Sequence, residues 1–192
     1  EVRRVARGGK RKPLAIVLEN VPGLVRHDAG RSLARMLAAL EAAGYAHTRR
    51  VLKASDYGVP QMRRRLFIVA YLPSAVRADF DPATFFDVGA HERRTTLTQL
   101  LGRPFRRDTA FTVRVGGRRS PVDGRHNWDG YYLCDGSVHR LTHEDCLLLQ
   151  GFDRDFRLSG TDTQKWRLLG NTIPTVFTSI IGERLRAMLL PI

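Results

Sequence analysis

Lysine and cysteine are scarce in this sequence. Of its 32 basic residues only four are lysine (Lys10, Lys12, Lys53 and Lys165) and 28 are arginine. The two cysteines, Cys134 and Cys146, stand in no metal-ligand pattern and build no disulfide framework, usage that fits a reducing cytoplasm. No apolar run approaches the length of a membrane span, so no membrane contact is expected, and no secretory signal is expected. Repeats and low-complexity tracts are missing too. Acidic residues are few, 19 against 32 basic, which leaves a formal charge of +13 on 192 residues. Such an excess attracts polyanions, nucleic acid above all. Arginine's planar fork suits phosphates and base edges better than lysine's point charge, although a GC-rich genome favouring arginine codons would give part of the same bias. The length allows one domain, or a medium and a small one, and a compact fold would bury roughly 70% of the unfolded surface. The chain begins with Glu1 rather than Met, as an excerpt or a processed piece would.

The chain is organised around Ile16-Val17-Leu18-Glu19-Asn20-Val21-Pro22-Gly23. The apolar run Leu14 to Leu18 is strand-length and shows no polar alternation, so it predicts a central strand covered on both faces. It delivers a carboxylate, an amide and a Pro-Gly turn at its carboxyl end, where open α/β sheets bind ligands. A glutamate that merely begins a loop is the plain alternative.

Asp28 or Ser32 is placed to cap a helix that runs to about Ala43 and stops at Gly44, with Leu33, Met36, Leu37 and Leu40 at helical spacing. Thr48 to Leu52 and Leu66 to Tyr71 read as further strands. In the loop between them Gln61, Arg63 and Arg65 alternate, so an extended backbone would project them together as a donor-rich face for phosphate or a base carbonyl; a solvated basic turn is the alternative. Residues 73–95 are irregular. Thr95 to Leu101 predicts a short helix and Phe111 to Val115 a strand. Arg118 and Arg119 sit on one turn, Arg125-His126-Asn127-Trp128 on another, and such turns can reach and stack on bases. Asp135-Gly136 marks a hairpin between Tyr131–Cys134 and Ser137–Leu141. Thr142 caps a helix with Asp145 three residues on. Leu168 to Pro174, including Gly170, Asn171 and Thr172, leads into a helix from about Thr175 to Leu189, whose first amides could hold a carboxylate or phosphate; simple capping explains the same residues.

Four stretches stand in order: Glu19-Asn20-Val21, Gln61-x-Arg63-x-Arg65, Leu141-Thr142 through Leu149-Gln150-Gly151-Phe152, and Gly170-Asn171-Thr172. Together, with an arginine-rich segment between the second and third, they resemble the later motifs of the DNA cytosine-5 methyltransferases, over nearly the whole chain. The resemblance implies an α/β fold: the rear part of a doubly wound S-adenosylmethionine-dependent sheet over 1–90, a small β-rich target-recognition domain over 91–160, and a return to the catalytic domain over 161–192. It implies duplex DNA as partner, a bacterial cytoplasmic or nucleoid setting, and a place in restriction-modification. In the family a cysteine thiolate attacks C6 of a flipped cytosine. Glu19 matches the glutamate that supports this at N3, Arg65 the arginine on the cytosine carbonyl, Arg63 its neighbour near the nucleophile and phosphate, and Gln61 the loop glutamine on the DNA side. Gly170, Asn171 and Thr172 match the cofactor-side turn. Arg118, Arg119 and Arg125 fall in the recognition segment.

Two departures accompany the resemblance. Glu144-Asp145 stands where the family carries Arg-Glu, and neither the Pro-Cys nucleophile pair nor the glycine-rich cofactor loop occurs in these 192 residues. The chain is therefore expected to be the C-terminal portion of such an enzyme, inactive alone and completed by an upstream half or a complementary subunit. A non-catalytic DNA-binding remnant and an RNA (tRNA) cytosine-5 methyltransferase are the competing readings.

Overall fold

The computed structural model describes residues 12–89, 95–114, 121–124, 127 and 129–190. The chain divides into two compact units, one built from Glu1–Leu52, Arg64–Gly89 and Ile180–Ile192, the other from Lys53–Arg63 and Ala90–Ser179. The division departs from the expected boundaries in two places. Residues 53–63 cluster with the second unit, and the chain rejoins the first at Ile180 rather than near 161.

The first unit is a three-stranded sheet with a helix on one face. Strands β1 (Ala15–Asn20), β2 (Ala46–Lys53) and β3 (Arg64–Tyr71) lie in the order β1-β3-β2. β1 and β3 are antiparallel, with Glu19 opposite Phe67 and Asn20 opposite Leu66. Alternate residues of this pair, Ile16, Leu18, Leu66, Ile68 and Ala70, pack on Leu33, Leu37 and Leu40 of helix α1 (Arg31–Ala42). The centre of the sheet is therefore β3, whose residues from Leu66 to Ala70 are at most 2% exposed. Among the described residues β1 pairs on one side only, with β3, and Val17 on it is 41% exposed.

The entry to α1 differs as well. Neither Asp28 nor Ser32 caps it. Asp28 and Ala29 (φ 52° each) and the N-cap Gly30 (φ 85°) form a left-handed run. The Asp28 carboxylate pairs with Arg31, and the Ser32 hydroxyl meets His27 Nδ1 at 2.7 Å. The stop at Gly44 (φ 86°) is as expected.

The second unit packs around Leu97, Ala110, Tyr132, Leu149 and Leu169. Its helices are α2 (Leu97–Leu101), α3 (His143–Leu149) and α4 (Asp162–Asn171), each opened by a reciprocal threonine cap: Thr96 with Gln99, Thr142 with Asp145, Thr161 with Gln164. Strands β4 (Tyr131–Cys134) and β5 (Ser137–Arg140) form the expected hairpin, with Asp135 and Gly136 both at positive φ as a primed turn requires. Helix α5 (Thr175–Met188), the last described helix, starts in this unit and passes into the first at Ile180. Two expectations fail here. Phe111–Arg114 form no strand; the segment is held by Gln61 pairing with Ala110 and by the Phe111 amide donating to the Tyr132 hydroxyl at 2.9 Å. Helix α4 was not expected, although Thr161-x-x-Gln164 is the capping signature that announces it.

Candidate active site

In the first unit β1 carries Glu19 to the rim of the sheet. The Asn20 carboxamide accepts the Val21 amide at 2.9 Å, and Pro22 opens a single 3₁₀ turn, so the strand stops just past the glutamate. Glu19 opposes Phe67, which puts Arg65, two residues away, diagonally on the same face. The Arg65 Nε donates to Glu19 Oε1 at 2.6 Å, and Nη1 donates to the Arg64 carbonyl at 2.8 Å. Both side chains are half-buried, 14% exposed for Arg65 and 26% for Glu19. Short charge-assisted bonds of this kind are worth about 1.5–3 kcal/mol. A carboxyl beside a guanidinium can address a ring nitrogen and its adjacent carbonyl at once.

Gln61 and Arg63 behave otherwise. The sequence suggests a donor-rich surface, but both residues are fully buried in the second unit, at 0% and 1% exposure. The Gln61 amide donates to the Leu149 carbonyl at 2.6 Å and accepts from Val113 N–H at 3.1 Å. Arg63 donates to the Val113 carbonyl at 3.0 Å and the Gly170 carbonyl at 2.9 Å. Gln150, within the third motif, joins them by donating to the Leu169 carbonyl at 2.9 Å. A buried guanidinium needs partners, and its two terminal nitrogens tie residue 63 to segments 50 and 107 residues downstream.

Gly170-Asn171-Thr172 lies at the carboxyl end of α4, not at the amino end of α5. The Thr172 amide (2.9 Å) and hydroxyl (2.8 Å) both donate to the Leu168 carbonyl, and Thr175 N–H donates to the Gln150 carbonyl at 2.9 Å. These donors are thus spent within the fold. Asn171 is exposed at the end of α4, and the carbonyls of Leu168, Leu169 and Gly170 before it are taken by Thr172, Gln150 and Arg63.

Arg118, Arg119 and Arg125 lie outside the described residues. Among the described residues no group of three His, Cys, Asp or Glu side chains could hold a metal ion. Cys134 and Cys146 are buried, and desolvation, helped by Asp145, pushes the Cys146 thiol far up, so it is no thiolate at neutral pH. The Glu144-Asp145 departure is accommodated locally. Asp145 accepts from Thr142 N–H (3.0 Å), from His139 Nε2 (3.0 Å) and from Arg103. The Glu144 carboxyl is held below its ordinary range, first by its own backbone N–H and then by the Thr142 hydroxyl.

The family model for C-5 cytosine-specific DNA methylases matches residues 5–112 and 105–187. The chain belongs to this family. Among relatives, the type II methyltransferase M.MspI of Moraxella sp. is 28% identical over 193 residues, 91% of this chain and 46% of its own length. M.NlaX of Neisseria lactamica is 29% identical over 203 residues, 93% of this chain and 64% of its own. This C-5 methylase chain thus spans about half to two-thirds of the curated relatives it matches. Its fold is shared with the S. pombe Dnmt2 methyltransferase (TM-score 0.66, 16% identity, 92% of this chain and 66% of that one) and with Entamoeba histolytica EhMeth (TM-score 0.65, 16% identity, 96% and 67%). No described helix of this family member is long and apolar enough to cross a membrane.

Proposed function

We propose that this chain forms the cytosine-binding part of a DNA cytosine-5 methyltransferase, acting on a cytosine flipped out of duplex DNA. The observation that carries the reading is the Glu19–Arg65 pair, two half-buried groups of opposite charge 2.6 Å apart on one face of adjacent strands. When a thiolate attacks C6, electron density builds on the ring. Glu19 takes up a proton from solvent as the cytosine displaces its contact with Arg65, and then passes that proton or a strong hydrogen bond to N3, while Arg65 holds the neighbouring carbonyl oxygen; donors in place before reaction are the efficient way to stabilise such charge. Gln61 and Arg63 serve by position, locking the loop that precedes Arg65. S-adenosylmethionine, when bound, supplies the methyl group to C5. Asn171 would hold its amino-acid end while Gly170 and Thr172 keep the turn in shape. Arg118, Arg119 and Arg125 face the DNA in this reading, and the type II relatives favour a restriction-modification role.

The attacking cysteine comes from sequence outside these 192 residues, since no Pro-Cys pair occurs in them. A further stretch of the same polypeptide or a complementary subunit would supply it. The test uses labelled S-adenosylmethionine and duplex DNA with this chain, alone and mixed with a polypeptide carrying the upstream Pro-Cys half. Transfer only in the mixture, abolished by Glu19→Gln, is expected. Transfer by this chain alone, or undiminished transfer with Glu19→Gln, refutes the reading.

A further inference from the structure

The loop that holds Gln61 and Arg63 has a second side. Because its backbone is extended there, Gln61 and Arg63 turn inward while Pro60 and Met62 line a cleft of about 700 Å³, wholly within the second unit. Three cations share the lining, Lys53, Arg106 and Arg107, with Ser55, Thr95 and Thr109, and Lys53 also lies 3.9 Å from the Asp56 carboxylate. Asp108 and Asp123 line it too, but Asp123 turns one carboxylate oxygen to the Leu133 N–H at 3.3 Å. Opposite walls are strapped together: Met62 N–H donates to the Ala110 carbonyl and Ala110 N–H to the Pro60 carbonyl, both at 2.8 Å. Arg107 is set over the Phe111 ring, 4.4 Å from its centroid. The cleft is therefore built rather than assembled by its ligand. Met62 and Val122 add apolar surface that is 40% and 39% exposed.

We infer that this cleft grips the sugar-phosphate backbone of DNA, with Lys53, Arg106 and Arg107 as phosphate contacts and Met62 and Val122 against the sugars. Cations and hydroxyls are the groups that position a protein on phosphates, without reading sequence. The inference rests on the DNA reading above, yet its three phosphate contacts, Lys53, Arg106 and Arg107, lie in none of the four motifs.

The test is binding of a short labelled duplex to this chain as salt is raised. Each phosphate contact contributes about 0.9 to the slope of log affinity against log salt. The triple variant Lys53→Gln, Arg106→Gln, Arg107→Gln should lose about 2.7 of that slope, equally for duplexes of any sequence. Raising salt from about 50 to about 200 mM would then weaken the wild type about 40-fold more than the variant. The charge-keeping variant Lys53→Arg, Arg106→Lys, Arg107→Lys should restore the slope. If the triple variant fails to fold, Arg106→Gln alone, at an exposed side chain, must lower the slope by about 0.9. An unchanged slope overturns the cleft and leaves the methyltransferase reading standing. A wild type that binds no duplex overturns both. A wild type that prefers polyglutamate to DNA, with that preference lost in the triple variant, overturns the DNA assignment in favour of an acidic protein partner.

Discussion

Arg63→Lys tests whether the second motif acts as an internal strut. Arginine reaches two carbonyls at once, Val113 at 3.0 Å and Gly170 at 2.9 Å. An ammonium on a shorter, tetrahedral head reaches one of them. The substitution keeps a cation buried, so the desolvation cost remains, and it orphans one buried carbonyl at about 1–3 kcal/mol. Arg63→Met is the less informative change: it orphans both carbonyls but relieves the buried charge, and the two terms oppose each other. The assay is urea unfolding of the wild type and Arg63→Lys, together with hydrogen exchange at Val113 N–H, which bonds Gln61 at 3.1 Å beside the affected carbonyl. Expected are a loss of about 1–3 kcal/mol and exchange about 5- to 150-fold faster at that amide. A loss below about 0.5 kcal/mol with unchanged exchange would refute the strut, since surface changes alone stay within that range.

Other outcomes follow from single features. A double-mutant cycle of Glu19→Gln and Arg65→Gln should give a coupling of about 1–3 kcal/mol in stability, and zero coupling would mean the 2.6 Å contact is not formed in solution. Ala29→Gly, at φ 52°, should stabilise by up to about 1 kcal/mol in thermal unfolding, because a left-handed Cβ is removed; a destabilisation would contradict the turn geometry. The Tyr132 phenol, pushed up to about 12 mainly by burial, should remain protonated when exposed tyrosines ionise. Its folded value lies above the unfolded value of about 10, so its contribution is complete below pH 10 and disappears as pH rises towards 12, a loss of about 2–3 kcal/mol visible in alkaline unfolding with Tyr132→Phe as control. Leu40→Ala, at a side chain 2% exposed against the sheet, should cost about 2–5 kcal/mol in urea unfolding.

Where the sequence carried local chemistry, the structure followed it. Asp135-Gly136 can make few things but a primed turn, and Thr142 with Asp145 writes its own cap. Gly44 ended α1 for the same reason. Glu19 was legible because a carboxylate ending an apolar strand is unusual, and its diagonal meeting with Arg65 follows from register once β1 and β3 pair. What the sequence could not show was long-range partnership. Nothing near Gln61 and Arg63 indicates that carbonyls at 113, 149 and 170 await them, so alternation alone suggested a surface. The Phe111 stretch has strand-like residues but finds Tyr132 and Gln61 instead of a ladder. Helix α4 was missed because its apolar residues are sparse, though its cap was readable.

The affiliation of residues 53–63 bears on how parts of this fold could be exchanged between relatives. This loop joins two strands of the sheet, yet Gln61 and Arg63 in it are clamped by the second unit. A graft of residues 90–179 from a relative would bring foreign carbonyls to Gln61 and Arg63. The natural cassette for engineering is discontinuous: residues 90–179 together with their short strap from between β2 and β3.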